Sequence, residues 1–234
     1  MGSLISSLVN NRLQYGVLVV LMLIFIGFIG ILNSSNELIF ERFLGNTSPL
    51  GMAVMVSIFG IAAFSLLLPN KRFVVYKKKK PTILLRYFLP IALFVSISII
   101  VDWQILYPAE MNILYPDSLL FYPAIGFLVE ILFHIVPLTI LLFVFTSFFK
   151  TTSYQKLVWA VIFIIAALEP TYQIYMDAYP TWAILAVWVD LYVFNVFQLI
   201  VFRRFDFISM YALRLVYYLF WHIIWGSMRL ELLF

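Results

Sequence analysis

The chain has no cysteine, only two histidines, and charge on just 11% of its 234 residues. Without cysteine there are no disulfides, thiolate metal sites or cysteine nucleophiles, and the redox compartment stays open. Scarce charge removes the polar surface that a water-soluble domain needs, and no stretch outside the apolar runs is long enough to build its own core. Low-complexity tracts and internal repeats are missing as well. What fills the sequence is hydrocarbon: 65% of the residues are hydrophobic, and apolar runs of bilayer length recur. This composition predicts an all-α, polytopic membrane helical bundle whose first partner is the lipid bilayer.

Windows of bilayer length predict spans near residues 15–33, 49–68, 83–102, 119–148, 157–173, 180–201 and 207–228. The fourth would rise roughly 45 Å as one helix against a hydrocarbon core of about 30 Å, so it must tilt, protrude or break near Pro137. Re-entry there would add an eighth span. Arg12, the run KRFVVYKKKK (71–80), Lys150 with Lys156, and Arg203 with Arg204 fall in alternate loops. Those loops are cytoplasmic by the positive-inside rule, which sets the N-terminus inside and the C-terminus on the opposite side. Glu37, Glu41, Glu110, Asp117 and Asp177 occupy the opposite loops. Charge placed this way is a topology signal, and nucleic acid is not an expected partner. The lysines at 77–80 also suit anionic lipid headgroups. Met1 to Gln14 reads as a retained leader to the first span, and MGSLIS fits a myristoylation pattern only in its letters. The chain divides into residues 1–118, with three spans and a basic loop at 69–82, and residues 119–228, which carry the polar groups.

Ionisable side chains at mid-bilayer cost at least about 2.5 kcal/mol each and face the bundle interior or a wet cavity. Six stand out: Glu130, His134, Glu169, Asp190, Arg214 and His222. At about 1.5 Å per residue, His134 and His222 lie at similar depth, with Glu130, Glu169 and Asp190 in nearly the same layer. Arg214 stands two turns below His222 on one helix face, and Asp190 is its expected counter-charge. Glu130 and His134 are four residues apart, hence on one face.

The second half of the chain resembles the intramembrane CAAX-protease and bacteriocin-processing group, whose members carry E-E-x-x-x-R, F-x-x-x-H and H-x-x-x-N on separate helices. VEILFH (129–134) resembles the first motif, VWAVIFIIAALEP (158–170) the helix of the second, and RRFDFISMYALRLVYYLFWHIIWG (203–226) the third. Glu130 and His222 match in identity. Val129 stands where the family has its first, water-activating glutamate, His134 where it has arginine, Glu169 where it has the second-motif histidine, and Gly226 where it has the closing asparagine.

The resemblance implies an endopeptidase acting on a hydrophobic or prenylated peptide, with a rebuilt or degenerate site. In the rebuilt form Glu130, Glu169 and His222 are the catalytic candidates, with a glutamate activating water and a histidine steadying the oxyanion. Glu130, His134, Glu169 and His222 also have the ligand types for a divalent metal, zinc first. In the degenerate form the fold serves as a non-catalytic accessory or scaffold for partner membrane proteins. Two further classes compete: His134 and His222 as axial ligands of one b-type haem, and a transporter using the buried acids as a proton relay.

Overall fold

The computed structural model describes residues 11–35, 37–70, 72–77, 86–149, 153–174 and 179–234. The MGSLIS letters, lysines 78–80, Lys150 and Asp177 lie outside the described residues. Helices account for the regular structure, and no strand occurs among the described residues. Seven apolar helices run in sequence: α1 Arg12–Ser35, α2 Pro49–Leu67, α3 Leu89–Ile105, α4 Ser118–Phe148, α5 Tyr154–Gln173, α6 Thr181–Arg204 and α7 Phe207–Leu233. All but the 17-residue α3 reach bilayer length.

The surface identifies the solvent. Side chains turned outward are large and apolar, including Leu23, Ile58, Leu66, Ile100 and Phe143, each more than 60% exposed. Buried positions meanwhile hold Asp102, Glu130, Asp190, Arg214 and Arg229. Apolar outside and polar inside is the arrangement a bilayer imposes on a helical bundle. The chain is therefore a multi-pass membrane protein. One hydrophobic core runs from Leu18 and Phe64 in the first helices to Phe194 and Trp225 in the last, so residues 1–118 and 119–228 share their packing.

Helix starts follow local chemistry. Ser48 accepts from Gly51 N to cap α2, with Pro49 at the first position. The predicted third span begins too early: residues 86–88 form a turn and α3 starts at Leu89, with Pro90 in its first turn. Asp206 caps α7, accepting from Ser209 N at 2.8 Å, and its second oxygen accepts from Lys77 N at 2.6 Å. Residues 72–77 thus lie across one end of the bundle, where Tyr76 also pairs with the Gln14 side chain. Arg72 and Arg203 cover Tyr154 and Trp159 at that end.

The long fourth segment does not re-enter. It passes through as one helix containing a π turn at Glu130–Ile135, just before Pro137, and no eighth span forms from it. Because proline has no N–H to donate, a helix approaching Pro137 must adjust its hydrogen bonding, and a π turn is one such adjustment.

The opposite end is fastened by a pair absent from the six membrane-embedded candidates. Arg229 Nε donates to Asp102 Oδ2 at 2.7 Å and Nη2 to Oδ1 at 2.8 Å. Trp225 Nε1 adds a third bond at 2.7 Å, and the guanidinium also caps the carbonyls of Tyr107 and Pro108. This set ties the end of α3 to α7. Removing one member of a buried pair leaves an uncompensated charge. Arg229→Met should therefore lower stability by about 3–5 kcal/mol in reversible unfolding from mixed micelles, and Asp102→Leu/Arg229→Met should recover most of that loss.

Candidate functional site

The π turn of α4 presents Glu130 and His134 to the bundle interior, both fully buried, with His134 Nδ1 donating to Glu130 Oε2 at 2.8 Å. Arg214 of α7 enters the same space. Its Nε donates to Glu130 Oε1 at 2.6 Å, while Nη1 and Nη2 hold the two oxygens of Glu169 at 2.8 and 2.7 Å. That second contact is the bidentate fork a guanidinium makes best. Gln198 completes the set from α6: its Nε2 donates to Glu130 Oε1 at 2.7 Å and its Oε1 accepts from Arg214 Nη2 at 3.1 Å. Tyr218 OH accepts the second Nη1 hydrogen at 3.2 Å, and Asn195 Oδ1, 3.4 Å from Nη2, shares a hydrogen there.

The local sequence explains how Glu169 reaches Arg214. Pro170 lacks an N–H, so the carbonyl of Ala166, four residues earlier, loses its helical partner. The helix breaks at Ala167, and Asn195 Nδ2 donates to the released Ala166 oxygen at 3.3 Å. Asn195 thus joins the helix break to the charge cluster. On α4, Gly126 gives room for Arg214 and Tyr218: a Cβ there would lie 2.9 Å from Tyr218 Cε2 and 3.5 Å from Arg214 Cδ.

The expected pairing of Asp190 with Arg214 is not what forms. Arg214 takes Glu130 and Glu169, and Asp190 instead accepts from Ser98 Oγ at 3.3 Å. Depth along a helix follows from residue count, but the facing direction does not. Asp190 lies five residues before Asn195, about 140° round an ideal helix, so α6 turns Asn195 and Gln198 to the guanidinium instead. Ser98 Oγ is also 2.9 Å from Tyr217 OH, and Asp190 Oδ1 is buried without a hydrogen-bond partner.

His222 does not join the Glu130, His134 and Glu169 group. It occupies a second π turn, Leu219–Trp225, where Nδ1 donates to Asn112 Oδ1 at 2.8 Å and the ring stacks on Tyr122 at 4.6 Å. Asn112 comes from the loop after α3 and packs on Gly226, where a Cβ would stand 2.9–3.0 Å from its side chain. An asparagine amide therefore does sit beside His222, supplied by another segment into the space that Gly226 leaves.

For a divalent ion, the donor set does not fit. Glu130 Oε1 and both Glu169 oxygens already accept from Arg214, and Glu130 Oε2 accepts from His134 Nδ1, which leaves His134 Nε2 as the one uncommitted ligand atom of these three side chains. Among the described residues no group of three or more histidines and carboxylates is arranged to hold a metal ion. His134 Nε2, the nitrogen an axial haem ligand would offer, is buried without a hydrogen-bond partner and lies 3.9 Å from Glu169 Oε2.

Beside the cluster lies a cavity of about 840 Å³, whose lining includes Glu41, Gly45, Tyr107 and Tyr179. Glu169, Arg214 and His222 line it, as does Val129. Glu130 is fully buried behind that wall with both oxygens bonded. Neighbouring residues of VEILFH therefore face different ways: valine toward the cavity, glutamate toward the ion pair.

No family model, curated protein or solved structure matches this chain.

Residues in one ion-pair network show interaction energies that distant residues lack. In double-mutant cycles using Arg214→Met, coupling to Glu130→Gln and Glu169→Gln should exceed about 1 kcal/mol, whereas coupling to Asp190→Asn should stay within about 0.5 kcal/mol. Equal coupling to Asp190 would refute the partner assignment.

Proposed function

We propose that the protein is a divergent relative of the CAAX-protease group that binds the apolar chain of an amphiphile in its intramembrane cavity without hydrolysing it. The observation that carries this reading is the division of labour between Val129 and Glu130. The resemblance assigns water activation to position 129, and this position faces the cavity as an unreactive valine. Glu130 is spent on Arg214, Gln198 and His134, with no oxygen left to take a proton from a cavity water. A volume of about 840 Å³ lined mainly by apolar and aromatic side chains suits a ligand rather than a single water. The basic end of the bundle, with Arg72, Arg203 and Arg204, is the cytoplasmic one in this reading.

A second reading, intramembrane peptide hydrolysis, draws on the His222–Asn112 pair. His222, held by Asn112, lines the cavity and would donate to a developing oxyanion, and Glu169 stands in the same wall as the remaining acid. Its weakness as a base is its bidentate bond to Arg214, which holds both oxygens.

A farnesylated hydrophobic peptide offered to the protein in lipid nanodiscs separates the two. It should bind saturably and be recovered intact by mass spectrometry, and Val129→Trp or Leu132→Trp, which fill the cavity, should weaken binding by about tenfold or more, about 1.4 kcal/mol. Time-dependent cleavage that Glu169→Gln and His222→Ala abolish would establish the hydrolytic reading instead.

A further inference from the structure

We infer that the head of the bound amphiphile is a cationic ammonium group; this rests on the binding reading above and names its ligand class. The first support is the charge of the wall. Among the described residues, the formally charged side chains lining the cavity are Glu41, Glu169 and Arg214, with His222 the one other titratable nitrogen base. Arg214 has no hydrogen to spare for an anionic head, because its three nitrogens already bond Glu130, Glu169, Tyr218, Gln198 and Asn195. His222 Nδ1 is held by Asn112. Among the described residues, an anion entering this cavity would meet carboxylates and no available cation.

The second support is Asp190. Ser98 and Tyr217, both in the wall, stand in front of it, and the chain from Tyr217 OH through Ser98 Oγ ends on its Oδ2. Oδ1 has no partner, and the residue is only 4% exposed. Without a counter-charge this carboxyl is ionised only at a cost, and a cation lodged beside Ser98 and Tyr217 offsets that cost. The groups packed about it are Ser98 on α3, Phe194 on its own helix, and Tyr217 on α7, with Arg214 on α7 committed to Glu130 and Glu169.

The third support is the aromatic wall. Tyr107, Tyr122, Tyr179, Tyr217, Tyr218 and Trp221 line the cavity, and Tyr107 contacts Tyr179 and Trp221 edge to face, at 4.9 and 6.3 Å. Aromatic faces are the surface on which quaternary ammonium groups are commonly recognised, and the attraction strengthens as water is excluded. Leu128, Val129, Leu132 and Leu191 offer the apolar wall for the chain. A lipid choline or amine headgroup and a free alkylammonium share this chemistry.

The test uses the full chain in nanodiscs of an uncharged glycolipid, with two brominated-chain probes of equal length, one ending in trimethylammonium and one in sulfonate. Quenching of tryptophan emission, referenced to empty discs and to a Trp188→Phe/Trp221→Phe variant, reports occupancy of the cavity. The ammonium probe should bind at least tenfold more tightly than the sulfonate, and Asp190→Asn should remove about tenfold of that affinity while leaving the sulfonate unchanged. Adding phosphatidylcholine to the discs assigns the source. Competition with the probe identifies a lipid headgroup, and undiminished probe binding identifies a free alkylammonium, either result supporting the ammonium class. Equal or tighter sulfonate binding overturns the ammonium assignment and leaves the binding reading standing. Binding of neither probe overturns both, and the two-probe comparison on the unaltered chain decides the matter even where Asp190→Asn fails to fold.

Discussion

A guanidinium in the middle of a helix bundle must recover in contacts what it loses in hydration, and Arg214 does so with two carboxylates, two amides and a tyrosine. Both carboxylates come at the expense of some regular helix. Glu169 reaches it because Pro170 breaks α5, and the carbonyl so released is bonded by Asn195, which also touches Arg214. Glu130 reaches it from a π turn, and Gly126 leaves the space that the arginine stem and the Tyr218 ring occupy. Charge, helix irregularity and close packing are one arrangement here. Four helices, α4 to α7, contribute side chains to it, so it fixes their mutual rotation as well as their depth.

That rotation creates the cavity. With Glu130 turned to Arg214, the adjacent Val129 and the later Leu132 and Phe133 are turned to the space bounded by α6 and α7. Glu169 belongs to both regions, since its oxygens face Arg214 while its side chain forms part of the wall. Any change in the ligand space that displaced Glu169 would therefore also disturb the ion pair. A second buried pair, Asp102 with Arg229, holds the far end of α3 against α7 beside the same cavity.

Much of this was legible because lipid makes polarity conspicuous. A glutamate and a histidine four residues apart in FLVEILFHIVP stand out, and they do bond to one another inside the bundle. Glu169 and Arg214 stand out for the same reason and do meet. What residue counting cannot supply is the direction in which each helix faces, and for that reason depth alone pairs Asp190 with Arg214, whose partners are Glu130 and Glu169. Loops are equally opaque: nothing in the letters of LYPAEMN connects Asn112 to His222, 110 positions away. Asp102 and Arg229 escaped notice because each sits at the end of an apolar window, where a charge reads as the boundary. Leu89 starts α3 later than hydropathy implies, since ILLRYF is apolar enough to extend the window although the chain turns at 86–88.

The two π turns show how the same chain meets conflicting demands. Each adds a residue to one helical turn, which rotates everything beyond it by about 100° relative to a regular α-helix. On α4 the turn carries Glu130 and His134 to the ion pair and still lets Leu138 and Leu142 return to the core beyond Pro137. On α7 the turn follows Arg214 and Tyr218, places His222 against Asn112 and Tyr122, and brings Trp225 and Arg229 onto Asp102. A uniform helix that aimed Arg214 at Glu130 would aim the residues after His222 in another direction. The irregular turns are therefore what allow one pair of helices to hold a buried ion pair, a cavity wall and an end clamp at three successive levels.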